Sequence, residues 1–309
     1  MQPGLARQGT RAQRAQTVDQ VEAVEIDILH LEPTADPPVE QGQLIAQLPQ
    51  SPLELDGRLP VGMCFGTHIV RLPEAVAPEA VASALKGVRG LFVQPRAAKD
   101  STEKLLRLAA DQGVRKVVVM SAINVDDDPD HQPSRFNGGR NTEVERAVIG
   151  GGLPWVAVRP SSFAMNMLGL WRGQLALGDT VRGPYGGFAE AVIHERDVAE
   201  VTARALMDDS LLGRRIPITG PEALRPDEML PIIGAAIDRP LRFQEVPAEM
   251  AARGMIRNGL DERFVQALMA RYEREMARPA TVTAEVEAIL GRPARPFTAW
   301  VDDHAGAWS

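Results

Sequence analysis

Acidic and amide side chains at Asn124, Asp126, Asp128 and Asp130 alternate in the manner of the first half of a calcium loop. An EF-hand also needs glycine at its sixth position and glutamate at its twelfth. Pro129 and Arg135 stand there instead, so the segment reads as a solvated loop. His131 and His194 lie near predicted strand ends, but neither has a second histidine at metal-ligand spacing, and no metal site is predicted. Ser161 and Ser162 are adjacent hydroxyls with no G-x-S-x-G elbow around them and no histidine close in sequence, which argues against a serine hydrolase. What remains is a set of residues that follow predicted strands: Gln94 and Pro95, Ser121, and Pro160, Ser161, Ser162 and Phe163, with Asn166 on the same connection.

Those positions acquire meaning from the elements around them. Lys116-Val117-Val118-Val119-Met120-Ser121 is a continuous run rich in β-branched residues, the pattern of a strand buried on both faces of a parallel sheet. Similar short runs predict strands at about 90–95, 154–159 and 215–219. Between them, apolar stripes at helical spacing predict helices over 78–86, 101–112 and 141–149, and Asp197 is expected to cap a further helix running to about 207. Asp197 reads as a buried structural acid, and Phe92 and Trp155 read as core. Strands separated by helices of this length imply βαβ units and a doubly wound parallel sheet, an α/β fold. The last ninety residues are mostly helical, with one strand expected at 241–246. They form a smaller cap over the carboxyl edge of the sheet, the edge at which such folds bind ligands.

The chain divides at about residue 60. Nine of the fifteen glutamines fall before that point, among prolines and without regular apolar spacing, so 1–60 reads as an atypical N-terminal segment. Residues 61–220 read as the sheet-bearing core and 221–309 as the cap. A net charge of −7 and the absence of any basic run interleaved with aromatics argue against direct nucleic-acid binding. No apolar run approaches the length of a membrane span. Cys64 is the sole cysteine, which excludes an intrachain disulfide and suits a reducing compartment. Arg7, Arg11 and Arg14 precede the first acid as in a transit peptide. The Ala, Arg, Gly and Pro richness reads rather as a bacterial cytoplasmic protein.

Four ordered segments carry a family resemblance. They are Ala84-Leu85-Lys86-Gly87-Val88-Arg89-Gly90-Leu91-Phe92-Val93, Gly113-Val114-Arg115 running into the valine strand to Ser121, Val144-Glu145-Arg146-Ala147-Val148 followed by Gly152 through Asn166, and Glu195-Arg196-Asp197-Val198-Ala199. In order and spacing they resemble the NmrA-like branch of the atypical short-chain dehydrogenases/reductases, over roughly residues 70 to 305. The resemblance implies a Rossmann-like fold that binds NADP or NAD, with Gln94, Pro95, Ser121, Pro160, Ser161, Ser162 and Phe163 against the cofactor and Asn166 against substrate.

Two departures bear on chemistry. The family's glycine-rich turn lets backbone amides and a helix N-terminus approach the pyrophosphate, whereas residues 1–60 hold only Gly4, Gly9, Gly42 and Gly57, in no such spacing. Weak dinucleotide binding is therefore expected. Relatives that interconvert alcohols and carbonyls use a serine, met here by Ser121, and a Tyr-x-x-x-Lys pair. Phe136 and Arg140 occupy the pair's place, and neither Tyr185 nor Tyr272 has a lysine at the required spacing. The expectation is an oxidoreductase acting on a small molecule without that pair and with no catalytic residue assigned. A redox-sensing regulator and a degenerate member that turns nothing over stay open as alternatives, as do a protein partner and a second copy of the chain.

Overall fold

The computed structural model describes residues 61–65, 68–72, 82 and 85–308. The segment 1–60 lies outside the described residues, as does most of the helix expected over 78–86. Eight strands occur among the described residues: β1 (Val61–Phe65), β2 (His68–Leu72), β3 (Val88–Val93), β4 (Lys116–Met120), β5 (Trp155–Pro160), β6 (Thr180–Gly183), β7 (Arg215–Ile218) and β8 (Arg242–Glu245). The main sheet has the order β2-β1-β3-β4-β5-β7. Its last four strands are parallel, with Leu91 opposite Val117, Val118 opposite Val156, and Val158 opposite Ile216. The hairpin of β1 and β2 joins β3 in antiparallel sense.

Helices cover both faces, as expected of a doubly wound fold. They are α1 (Pro95–Ala98), α2 (Thr102–Asp111), α3 (Pro133–Phe136), α4 (Asn141–Gly150), α5 (Asn166–Leu175), α6 (Glu195–Met207), α7 (Pro226–Ala236), α8 (Ala248–Arg257), α9 (Glu262–Met276), α10 (Glu285–Leu290) and α11 (Phe297–Asp303). The alternation of a strand explains the layering. Val117 and Val119 of β4 join Leu91, Val93 and Ala157 under α2 and α4. Val118 and Met120 face the other way, with Val156, Val158, Ile216 and Ile218 under α6 and α10. Burying each such side chain contributes about 1.5–3 kcal/mol. A third apolar cluster unites Met167, Trp171, Leu175 and Val181 with Met229, Leu230, Ile233, Phe297 and Trp300. It lies around the small sheet in which β6 pairs in parallel with β8. That cap sheet takes one strand from each side of β7 in the chain.

Several local expectations are corrected. β3 stops at Val93, because the Gln94 side chain accepts a hydrogen bond from the Ala97 amide and caps α1, with Pro95 at a first-turn position that needs no donor. His194, not Asp197, caps α6. Trp155 is only half-buried at the amino end of β5, with the Arg215 guanidinium 5.3 Å from its ring centre.

Buried charges fasten the layers. Arg159 and Glu145, both more than nine-tenths buried, pair between β5 and α4 with Nε to Oε2 at 3.0 Å. Asp197, fully buried, accepts from the Arg295 amide at 2.7 Å and from Arg292 at 2.8 Å, and also pairs with the Arg295 guanidinium. These bonds hold the segment before α11 against the first turn of α6. At the same helix start, His304 donates from Nδ1 to the Trp300 carbonyl at 2.8 Å and from Nε2 to Glu195 at 3.0 Å. Both ring nitrogens serve as donors, which is the imidazolium form. Burial by itself would lower the His304 pKa. The Glu195 and Trp300 hydrogen bonds and the charges of Glu195 and Asp303 outweigh it and raise the value above 6.5.

Two outcomes follow for stability. Asp197→Ala leaves the Arg295 amide without its acceptor and leaves Arg292 and Arg295 with Glu200 as their remaining carboxylate. It is expected to cost about 3 kcal/mol in urea unfolding, the low end for a broken buried pair because both arginines keep Glu200 as a partner and part of their surface in water. Because the folded-state pKa of His304 is raised, its contribution is complete below pH 6.5 and is lost as pH climbs through the folded value. Thermal unfolding of the wild type should lose more stability between pH 6 and pH 8 than that of His304→Asn; equal losses would refute the assignment.

Candidate functional site

The parallel strands place their carboxyl ends along one edge, and most of the expected site residues gather there. Gln94 follows β3, Ser121 follows β4, and Pro160 closes β5. Hydrogen bonds continue the ladder past the strand ends, from the Ser121 amide to the Val158 carbonyl at 2.7 Å and from the Ser161 amide to Ile218 at 2.8 Å. The side chains differ in what they are free to do. Gln94 is engaged as a helix cap, and Pro95 is buried beneath it. Ser161 donates to the Ala191 carbonyl at 2.6 Å, a bond that joins the loop after β5 to the chain leading into α6. Phe163 bridges to Ile193 and packs into the core below the sheet. Asn166 opens α5 and is exposed. Ser121 is 4% exposed and its hydroxyl has no hydrogen-bond partner among the described residues. Ser162 accepts from Arg271 Nη1 at 3.1 Å.

That bond leads to a pocket that sequence patterns did not indicate. Met167, Leu170 and Trp171 of α5 form one wall, the turn from Gly183 to Phe188 another, and Phe243, Met255 and Tyr272 close it. None of the eight expected residues lines it. Its open volume is about 60 Å³, small beside the several hundred typical of ligand sites. An occupant must therefore displace side chains, and Met167, Met229 and Met255 are of the type that repacks most readily.

The turn that frames the pocket is built by close approach. A side-chain carbon on Gly183 or Gly186 would come within 3.0 or 3.1 Å of the Phe243 ring, and on Gly186 also within 2.9 Å of Glu245. Tyr185 sits between them at φ +54°, a conformation unfavourable for a bulky side chain and characteristic of sites where strain serves function. Tyr272 packs at 4.7 Å between ring centres from Phe188 and at 6.2 Å from Tyr185.

Electrostatically the pocket is balanced by Arg271. Its guanidinium lies 5.7 Å from the Phe188 ring centre and bonds to Glu190, Glu275 and Ser162. Burial alone would lower its pKa, but Glu190 and Glu275 raise it, so the charge persists. Arg274, one helical step on, bonds Asp127 in the loop after β4 at 2.7 Å. α9 is thus fastened to the loops that follow both β4 and β5. Burial, then the Glu190 charge, pushes the Tyr272 phenol up, and burial with Glu273 and Glu249 does the same for Tyr185.

The dinucleotide implied by the sequence can be tested against this edge. The orphaned Ser121 hydroxyl is what a bound amide or ribose group would satisfy, since a buried polar atom without a partner is rare. Ser121 and the Ser162 connection offer polar groups to a ligand at this edge. The strand next to β3 is the antiparallel β1, so among the described residues no parallel first strand leads through a glycine turn into a helix N-terminus. The place expected for a Tyr-Lys pair is broken: α3 ends at Phe136, Gly138 turns the chain at φ +80°, and Arg140 precedes α4. The Phe136 ring lies 4.9 Å from the Arg263 guanidinium.

Trp171, Tyr185, Phe188, Glu190, Arg271 and Tyr272 were missed because they lie up to a hundred residues apart. The two tyrosines carried a signal only as the chain's sole phenols, and they were set aside for want of a lysine.

A family model described as NAD(P)H-binding matches residues 69–209. The chain is 34% identical over 228 residues to a (4-alkanoyl-5-oxo-2,5-dihydrofuran-3-yl)methyl phosphate reductase of Streptomyces griseus, covering 73% of this chain and 79% of that protein. It is 29% identical over 237 residues to an NAD(P)H azoreductase of Xenophilus azovorans, covering 75% and 80%. Among solved structures, the NADPH-dependent quinone oxidoreductase of Escherichia coli in complex with NADPH superposes with a TM-score of 0.61 at 17% identity, over 73% of this chain and 80% of that one, a likeness of fold. From β2 to just beyond α6 this sheet and its helices are the ones the model matches, and with a reductase 34% identical over most of its length, the chain belongs to the NAD(P)H-binding family of NmrA-like, atypical short-chain reductases.

Proposed function

We propose that the protein is an NAD(P)H-dependent reductase of a small, planar, electron-poor molecule. In this reading the nicotinamide end of the dinucleotide lies along the carboxyl edge at Ser121 and Ser162, with Gln94, Pro95, Pro160, Ser161 and Phe163 shaping that edge, and the acceptor enters the aromatic pocket. The observation that carries it is the bond from Ser162 to Arg271 and on to Glu190, which joins edge and pocket through one side chain. The relatives' names speak of an oxo-dihydrofuran carrying a methyl phosphate, an azo compound and a quinone, and all three offer a flat face and a lone-pair oxygen or nitrogen. Asn166, exposed at the start of α5, would meet only the outer part of an acceptor.

The dinucleotide supplies a hydride when bound. The protein's own part is to exclude water with Trp171, Phe188 and Phe243, to hold the acceptor flat between apolar walls, and to keep the pocket neutral by pairing Glu190 with Arg271. Transfer to a conjugated acceptor needs no side chain to take a proton from an alcohol, which agrees with Phe136 and Arg140 in place of the Tyr-Lys pair. No helix among the described residues is long and apolar enough to cross a membrane. A lone cysteine and the use of reduced dinucleotide support a cytoplasmic setting.

The test is calorimetry with NADPH and NADH, followed by absorbance at the reduced-nicotinamide band with 2,3-dimethyl-1,4-naphthoquinone as acceptor. Quinone-dependent oxidation of either cofactor is expected, and its absence at saturating cofactor would sink the proposal. Without two amide donors of a glycine turn, each worth about 1.5–3 kcal/mol to a charged group, the dissociation constant should lie about two to four orders of magnitude above that of a relative possessing the turn. Low-micromolar binding would show instead that another cradle exists. The double variant Phe136→Tyr, Arg140→Lys should acquire no activity on simple secondary alcohols, because the Gly138 turn keeps the two positions off one helical face. Robust alcohol turnover would contradict that geometry.

A further inference from the structure

The polar groups that line the pocket can be accounted for one by one. Gln174 uses both ends of its amide on the Arg182 backbone, donating to its carbonyl at 3.1 Å and accepting from its amide at 2.9 Å. Glu190 is paired with Arg271. Arg182 is exposed, on the outer side of β6. Three donors are left, the Trp171 indole N–H and the phenol hydroxyls of Tyr185 and Tyr272, and none of them makes a hydrogen bond among the described residues. Both tyrosines are half-buried, so a ligand that displaces water from such a hydroxyl keeps its affinity only by accepting the hydrogen bond in turn.

The two phenols are not equivalent. Tyr185 rides on the strained turn between β6 and the Phe188 segment. Tyr272 stands on α9 beside Arg271, whose bond to Ser162 ties this point of the helix to the carboxyl edge of the sheet. Its ring is wedged against Phe188, so the hydroxyl has a defined place relative to that edge.

We propose that Tyr272 is the specificity-determining residue of the pocket: its hydroxyl donates the hydrogen bond that fixes a lone-pair oxygen or nitrogen of the bound molecule, and so selects neutral, planar ligands with such an atom conjugated to the ring over plain hydrocarbons. This rests on the reading of the pocket as the acceptor site. Neutral ligands are favoured beside Tyr272 because the Glu190 carboxylate there is already compensated by Arg271, while the other charged group of the lining, Arg182, is exposed. The raised phenol pKa agrees with a group that keeps its proton and acts as a donor throughout the physiological range. Sequence reading passed over Tyr272 because it looked for a tyrosine that exchanges its proton, whereas this one is placed to retain it.

The experiment uses the full chain and two probes of matched shape, 2,3-dimethyl-1,4-naphthoquinone and 2,3-dimethylnaphthalene, with binding read from tryptophan fluorescence, for which Trp171 lies in the pocket wall. The wild type should bind the quinone more tightly. Tyr272→Phe keeps the ring that packs on Phe188 and should weaken quinone binding about three- to tenfold, while naphthalene binding changes less than about twofold; the latter also shows that the variant is folded. Tyr185→Phe should leave the quinone preference in place. Equal weakening of both probes by Tyr272→Phe, an unchanged preference, or no binding of either probe by the wild type overturns the proposal. If the preference depends on Tyr272 but the quinone drives no cofactor oxidation, the proposal stands and the reductase reading falls. If oxidation proceeds and the preference ignores Tyr272, the reverse holds.

Discussion

Strands covered by helices on both faces leave a chain few places where a side chain can meet a ligand. β4 and β5 are such strands. Their valines are sealed under α2 and α4 on one side and α6 and α10 on the other. Every backbone polar group within them is committed to the ladder, so chemistry is displaced to the ends. At the amino ends Lys116 pairs with Asp209 and Trp155 lies under Arg215. At the carboxyl ends the loops carry hydroxyls, one of them, at Ser121, buried and without a partner among the described residues. The position of the site follows from that double burial.

The cap depends on the same edge. α9 bears arginines at 271 and 274, three positions apart and therefore on one face. That face meets the loops after β4 and β5 through Asp127 and Ser162, and meets the pocket through Glu190. Isolated ion pairs at a surface contribute little. These are partly or largely shielded and share partners, so they act more as a register that sets α9 at one position on the edge. Tyr272 sits between the two arginines and inherits that register. A similar division holds on the far side, where Asp197 and Glu195 hold the segments around α11 against the first turns of α6. Gly220 permits the close passage of β7's exit past the Val192 carbonyl, where an added side-chain carbon would lie at 2.2 Å. Only glycine allows that approach.

How much of this was legible without coordinates depended on the range of the interaction that decided each feature. The four parallel strands, the helices between them and the carboxyl-edge placement of Gln94, Ser121 and Pro160 are consequences of local pattern: a β-branched run and a 3.6-residue stripe each declare themselves within a dozen residues. Errors of one to three residues came where a side chain competes with the ladder, as Gln94 does by capping α1 and His194 by capping α6. The strand β6 went unread because Thr180-Val181-Arg182-Gly183 has too few apolar residues to show a period, and it is a strand only because β8 lies beside it.

The sequence by itself therefore determined the class of fold, the strand ends at which Gln94, Ser121 and Pro160 stand and the absence of a Tyr-Lys pair, since each is written in residues near one another. The resemblance carried by four ordered segments determined the family. Tertiary structure alone decided which side chains form the pocket. Trp171, Tyr185, Glu190, Phe243 and Tyr272 come from α5, a turn, a loop, β8 and α9, and no spacing along the chain connects them. It alone also decided their state. Arg271 is one of many arginines until Glu190, Glu275 and Ser162 take up its guanidinium, and Tyr272 is one of two phenols until burial beside Glu190 raises its pKa further. Identity and pattern are properties of the chain, whereas proximity and desolvation exist only once distant segments have packed together.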